Sequence, residues 1–290
     1  MYNMRLHGSD ALGSRENSQI RLPPDNERLR SAYSDDVMGE GTDMKIEIKN
    51  LTKYYGDFRA VDSVSFSFSS GKLTALVGRN GSGKTTTIRT ILGLLSMDEG
   101  ELMIDGQHRN LNLKRTGYLA EDRGMFPKER VNEQLVFFGQ LKGMTHKEAD
   151  KSIDRWLEKL DIAQYKKSPL ESLSKGNQQK IQMIASLIHD PDIIIFDEPF
   201  SGLDPVNMQM VMDLLRELRN EGKCILVSSH QLSLIEQVCE DICIIDRSRR
   251  IYYGTLAALR EETARKSDKP EISLQEIFLD LIGEEENKDE

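Results

Sequence analysis

Residues 78–85 read GRNGSGKT, the spacing G-x-x-x-x-G-K-[ST] with Gly78, Gly83, Lys84 and Thr85 in the required places. Few stretches this short restrict a fold so tightly. Glycines let the backbone turn its N–H groups inward as an anion nest. A helix that starts directly afterwards presents its positive N-terminal end to the same anion. Such a loop needs a buried strand before it and a helix after it, and the flanks LTALV (73–77) and TTTIRTILGLL (85–95) supply both periods. Lys84 is then placed to reach the outer phosphates of a bound nucleotide, and the Thr85 hydroxyl to ligate Mg²⁺. Arg79, Asn80, Gly81, Ser82 and Thr86 complete the phosphate-binding stretch.

A second feature lies downstream. The apolar run DIIIF (192–196) ends in Asp197, Glu198 and Pro199. Continuous apolar runs of this length read as strands buried on both faces of a parallel sheet, and CILV (224–227) is another. Ligands of open α/β sheets bind at the carboxyl ends of the strands. Asp197 is therefore expected to hold Mg²⁺, and Glu198 to polarise an attacking water as general base.

Further strands are predicted near 45–50, 64–68, 73–77, 101–104, 116–119, 242–246 and 251–254. Helices are predicted from Gly83 or Lys84, over Val131 to about Leu160 with a break at Lys142-Gly143-Met144, after Ser174, and at about 206–220 and 231–240. Strands alternating with helices imply βαβ units, hence an α/β fold. The amphipathic stretch ISLQEIFLDLI precedes an acidic tail. Residues 1–43 carry no apolar period and contain Pro23-Pro24, so they read as a disordered or non-native leader, with Met44 as a candidate native start. No repeat is visible, so one nucleotide-binding unit is expected.

Composition narrows the function classes. The 290 residues carry a net charge of -9, which disfavours nucleic acid and anionic lipid as default partners. No apolar run is long enough for a membrane span. Cys224, Cys239 and Cys243 form no C-x-x-C pair, which fits a reducing cytosol; Cys239 and Cys243 are read as core packing, as is Trp156. The short basic clusters Lys166-Lys167 and Arg247 to Arg250 are read as solvated turns.

IIIFDEPFSGLDP (193–205), with LSKGN at 173–177 and SSH at 228–230, resembles the ATPase domains of ABC transporters. The likeness covers about Met44 to Gly254, and the motifs follow in the family's order. It implies a P-loop (RecA-like) parallel-sheet core with an antiparallel β subdomain, and a helical subdomain at about 128–186. Residues 255–290 would be a helical extension with an acidic tail. It also implies that two cassettes dimerise head to tail, as two copies or as a homologous pair, with ATP between the phosphate loop of one and the signature of the other. The signature is Ser174, Lys175, Gly176 and Asn177. Ser174 is a good helix N-cap, and Gly176 permits close backbone approach. By the same resemblance Ser201 and Asp204 belong to an interface loop, His230 to a switch at the γ-phosphate, and Tyr55 to the adenine, with Val61 as its apolar neighbour and Tyr54 as the competing aromatic.

Two departures stand out. Glu121 occupies the position where Gln is usual; a carboxylate can ligate Mg²⁺ but donates no hydrogen bond when ionised, and its charge would need the metal or Arg123 to offset it. Lys175 and Asn177 stand where Gly and Gln are commoner. Both are similar to the subgroup of bacterial cassettes that serve ABC-2 type exporters, whose permease is a separate transmembrane chain. The expected protein is thus an ATP- and Mg²⁺-dependent motor on the cytoplasmic face of the cell membrane, with Met125, Phe126, Val136, Phe137 and Phe138 as docking candidates. A soluble ATPase of DNA repair or translation is the first alternative; such chains carry coiled-coil or zinc inserts or two cassettes, which this sequence lacks. An ATP sensor without turnover is the second, and Glu198 and His230 argue against it.

Overall fold

The computed structural model describes residues 43–121, 124–266 and 272–286. The leader up to residue 42, Arg123 and the end of the acidic tail lie outside them. The four apolar runs form strands β3 (Leu73–Val77), β7 (Ile193–Asp197), β8 (Cys224–Ser229) and β9 (Asp241–Asp246), each with every residue buried. Strand β6 (Thr116–Leu119) joins β7, and the pairs β3–β8, β3–β9, β7–β8 and β6–β7 are all parallel. The first half of the chain adds an antiparallel group, β1 (Lys45–Tyr55), β2 (Phe58–Ser69), β4 (Glu99–Ile104) and β5 (Gln107–His108). Strand β10 (Arg249–Thr255) runs antiparallel to β9 and touches β2 at Arg249–Asp62. Together the ten strands take the order β5-β4-β1-β2-β10-β9-β3-β8-β7-β6.

Side chains on one strand alternate between two cores, as the period of two requires. Ile194 and Phe196 enter the core on one face, and Ile193 and Ile195 the other. The second core is closed by β1, β2 and helix α1 (Lys84–Ile91). The first is closed by the remaining helices. Among these, α2 (Val131–Leu141) and α3 (His146–Lys159) are separated where Gly143 takes φ 95°, and α3 starts on a capping box between Thr145 and Glu148. Next come α4 (Lys175–Leu187), α5 (Pro205–Asn220) and α6 (Leu232–Val238). Two more, α7 (Leu256–Lys266) and α8 (Leu274–Glu286), follow β10.

The first hairpin is longer than its alternation suggests. Register shifts after Ile48, Leu51 and Lys53 break the period while pairing continues to Tyr55–Phe58. Cys224, Cys239 and Cys243 are buried and unpaired, and Trp156 is buried in the helical core. Lys166 is not simply solvated, since its ammonium lies 2.9 Å from Asp150 and 2.6 Å from Asp154. Among the described residues no helix is long and apolar enough to cross a membrane.

Candidate nucleotide-binding site

The loop between β3 and α1 is built as its glycines require. Gly83 takes φ 105°, and a Cβ there would stand 2.6 Å from the Ala60 carbonyl oxygen, so only glycine fits. Lys84 is buried and folds back over the loop, donating to the carbonyls of Gly78 (2.9 Å) and Arg79 (3.3 Å). Its Nζ also lies 3.4 Å from Glu198 Oε1, an ion-pair distance without hydrogen-bond geometry.

The acidic pair closes the far side. Asp197 ends β7 and Glu198 follows with φ 53°, a left-handed backbone uncommon outside glycine. Strand β8 holds it there: the Glu198 N–H donates to the carbonyl and hydroxyl oxygens of Ser228 (3.2 and 3.0 Å), and the Ser228 hydroxyl donates to Asp197 Oδ1. His230, just past β8, sets its Nδ1 2.9 Å from Glu198 Oε2, and its backbone N–H donates to the same oxygen at 3.4 Å. Burial holds the Asp197 carboxyl above the usual carboxylate range, with the Ser228 and Thr85 hydroxyls opposing the shift.

Asp197 Oδ2 and Glu198 Oε1 are buried with no hydrogen-bond partner among the described residues. Bare buried carboxylate oxygens ask for a cation or a water. Asp197 beside Thr85 therefore suits Mg²⁺, which takes one or two protein ligands and completes its shell with phosphate and water oxygens. Among the described residues no group of three or more His, Cys, Asp or Glu could hold a metal ion.

A cavity of about 310 Å³ opens over this arrangement, and its walls include Tyr55, Asn80, Gly81, Gly83, Lys84, Thr85, Thr86, Glu121 and Glu198. One expectation is corrected here. Val61 is fully buried beneath the loop, in the core with Leu76 and Ile88, and cannot face a base. Phe58 and Ala60, from the same strand, line the cavity instead. Phe58 is 64% exposed and pairs across the hairpin with Tyr55, itself 48% exposed. Two exposed aromatics facing each other at a hairpin end were the missed signal in YYGDF. Tyr54 is occupied elsewhere: its hydroxyl accepts from Arg59 (2.6 Å) and its ring carries the Arg59 guanidinium. The Arg79 side chain also turns away from the cavity, donating to both Asp246 oxygens (2.8 and 2.7 Å), so Arg79 offers the loop its backbone. The Ser82 hydroxyl is buried and unpartnered among the described residues.

The signature lies apart. Ser174 caps α4, its hydroxyl accepting from the Asn177 N–H at 3.3 Å, and Ser174 and Lys175 are exposed. None of the four signature residues lines the phosphate cavity. Asn207, also missed, joins this helix to the next. Asp204 caps α5 by accepting from the Asn207 N–H (3.0 Å) and side-chain amide (2.6 Å), which holds its carboxyl below the usual range. That same amide fills the space beside Gly176, where a Cβ would meet it at 2.7 Å. Ser201 is exposed at the start of this loop.

Comparison with known proteins matches residues 61–201 to the ABC transporter family. An uncharacterised ABC transporter ATP-binding protein of Methanocaldococcus jannaschii is 43% identical over 82% of this chain and 90% of its own length. A Nod factor export ATP-binding protein of Ralstonia nicotianae is 34% identical over 74% of this chain and 68% of its own. The solved structure of an ATP-binding subunit of an ABC transporter superposes with a TM-score of 0.72 at 27% identity, over 82% of this chain and 99% of that one. With the phosphate loop, the acidic pair and the separate signature helix in place, the chain belongs to the family of ABC transporter ATP-binding proteins, the ATP-hydrolysing subunits of those transporters.

Proposed function

We propose that this chain is the motor of an exporter, and that it works as an ATP sandwich of two cassettes joined to a separate transmembrane permease. The observation that carries the reading is the division of the site. The phosphate loop and Glu198 line one cavity, with Asp197 and His230 next to Glu198, while none of the signature residues of the same chain lines it. A second cassette, placed head to tail, would supply the missing side. Relatives named for Nod factor export and linearmycin resistance support export over import, and the relatives give no support to a repair or translation ATPase.

In this reading the loop amides and Lys84 bind the phosphates, and Tyr55 and Phe58 flank the base. Thr85, Asp197 and Glu121 would hold Mg²⁺, which would supply charge neutralisation at the transferring phosphate. Glu198 orients and deprotonates the attacking water, and His230 fixes its carboxylate. Phosphoryl transfer needs chiefly this positioning and charge stabilisation. Ser174, Lys175, Gly176 and Asn177 contact the γ-phosphate held by the partner, and Ser201 and Asp204 cross the interface. Residues 44–254 form the cassette, with residues 128–186 as its helical subdomain.

In this reading the permease docks on the helical subdomain. Phe126 and Phe137 are 51% and 38% exposed and meet edge to face there, beside a cavity of about 280 Å³ bordered by Met125, Phe138 and Leu141. Val136 is buried in the core and leaves the docking set. In this reading the chain sits on the cytoplasmic face of the membrane; among the described residues no helix is long and apolar enough to cross it.

The test is a tagged Glu198→Gln chain expressed in its native host and purified from detergent-solubilised membranes with Mg-ATP. The expected companion, identified by mass spectrometry, is a polytopic membrane protein. Recovery of ribosomal or repair proteins with no membrane protein would overturn the reading.

A further inference from the structure

The turn between β9 and β10 gathers charge that the nucleotide site does not use. Arg247 and Ser248 take φ 44° and 70°, the pair of left-handed residues that closes a tight hairpin, with Asp246 and Arg249 paired across it. The turn carries Arg247, Arg249 and Arg250 to one place, and Arg59 joins them from the start of β2. With Asp62 and Asp246 these four arginines line a cavity of about 530 Å³. The six named groups give four positive and two negative charges, so the cavity is net positive in a chain whose net charge is -9.

Both carboxylates are committed to holding arginines in place. Asp62 accepts from Arg59 Nη1 and Arg249 Nε, both at 2.8 Å. Asp246, buried, gives both oxygens to Arg79. Arg249 and Arg250 keep donors in reserve. A guanidinium carries five N–H donors; Arg249 commits Nε, and Arg250 commits Nη1 to the Ser65 carbonyl. Fixed guanidinium forks in excess over carboxylates match the oxygens of a phosphate group. No residue lines both this cavity and the nucleotide cavity, although Arg59 stands between Phe58 and Ala60 of the latter.

We propose that this arginine-lined cavity is a second anion site, which takes a phosphate-bearing ligand, either a free diphosphate or the headgroup of an acidic phospholipid. The site is independent of the transport reading. Arg249 is 67% exposed, so binding is salt-dependent.

The phosphate loop must be silenced to see it. Inorganic pyrophosphate would be titrated calorimetrically into Lys84→Ala, and in parallel into the unsubstituted chain saturated with ADP. Each would be repeated with Arg249→Gln and Arg250→Gln added. One pyrophosphate site should remain when the loop is blocked, and the two glutamines should weaken it about tenfold or more. In a second arm the same proteins are sedimented with phosphatidylcholine vesicles with and without phosphatidylglycerol. Arginine-dependent pyrophosphate binding alone supports a soluble diphosphate; arginine-dependent capture by the acidic vesicles alone supports a headgroup; both support the shared phosphate chemistry. Binding in neither arm, or binding that the two glutamines leave unchanged, overturns the proposal. Unchanged ATP affinity in Arg249→Gln/Arg250→Gln confirms that those substitutions leave the fold intact.

Discussion

Two helix N-termini in this molecule look alike locally and differ in their surroundings. Helix α1 begins at Lys84 after Gly83, and α4 at Lys175 after Ser174. Each presents a positive end, a lysine and a glycine suited to phosphate. At α1 the lysine is buried and faces a buried acidic pair from a neighbouring strand. At α4 the lysine is exposed, and the nearest neighbour of Gly176 is Asn207. A helix end becomes a catalytic centre only when the fold brings opposite chemistry to it. The chain completes this for α1 and leaves α4 open, which is the physical basis for expecting a second cassette.

The largest effect should separate chemistry from binding at α1. Glu198→Gln is expected to lower ATP turnover about 10²–10⁴-fold while ATP affinity stays near that of the parent; a comparable loss of affinity, read by titration with labelled nucleotide, would break the assignment of Glu198 as base. At α4 the opposite split is expected. Ser174→Arg should leave the ATP affinity of the isolated chain unchanged and reduce turnover of the assembled transporter about tenfold or more. If the isolated chain also loses affinity, the two helix ends act within one molecule and the sandwich fails.

Smaller effects refine the α1 side. Phe58→Ala should cost about 1–3 kcal/mol of ATP binding if the ring flanks the base, with little change in melting. Val61→Ala should do the reverse, costing about 2 kcal/mol of stability through a core cavity and sparing affinity. Equal effects in both assays would put Phe58 back among structural residues.

The smallest effect lies at the other end of α4, where it meets β6. His189 Nε2 stands 3.3 Å from the Thr116 carbonyl, and Lys142 Nζ donates to the same carbonyl (2.9 Å) and to that of Leu113 (2.5 Å). Burial, then the Lys142 charge, pushes His189 from 6.5 down to about 4. The folded imidazole stays neutral where the unfolded one takes a proton. Stability from this group is full above pH 6.5 and is lost as the pH falls toward 4. His189→Gln should flatten that part of the melting-temperature profile; an unchanged slope would show that His189 is not the titrating group.

The loop 78–85, the buried strands and the helix breaks were legible because each rests on contacts only a few residues apart: a glycine beside a nest, a Ser or Thr at a cap, an apolar run on two faces. The misreadings concern residues whose role is set by distant parts of the chain. Val61 reads as a cavity residue until β2 is seen to turn it into the core shared with Leu76. That the Arg79 guanidinium goes to Asp246, 167 residues away, and leaves only the backbone to the loop is likewise not a local property. Phe58 gains its place through the hairpin that sets it opposite Tyr55, and Asn207 through the packing of α5 beside Gly176.

By itself, then, the sequence determined the phosphate loop, the order of the elements, the α/β class and the identity of the acidic pair, since backbone conformation and burial period are local properties. Only the tertiary structure decided which side chains share a cavity and which carboxylate oxygens are left bare. It also decided that the signature does not line the cavity of its own loop. Those are matters of convergence between strands and helices far apart in the chain, and no local pattern encodes the direction in which a side chain finally points.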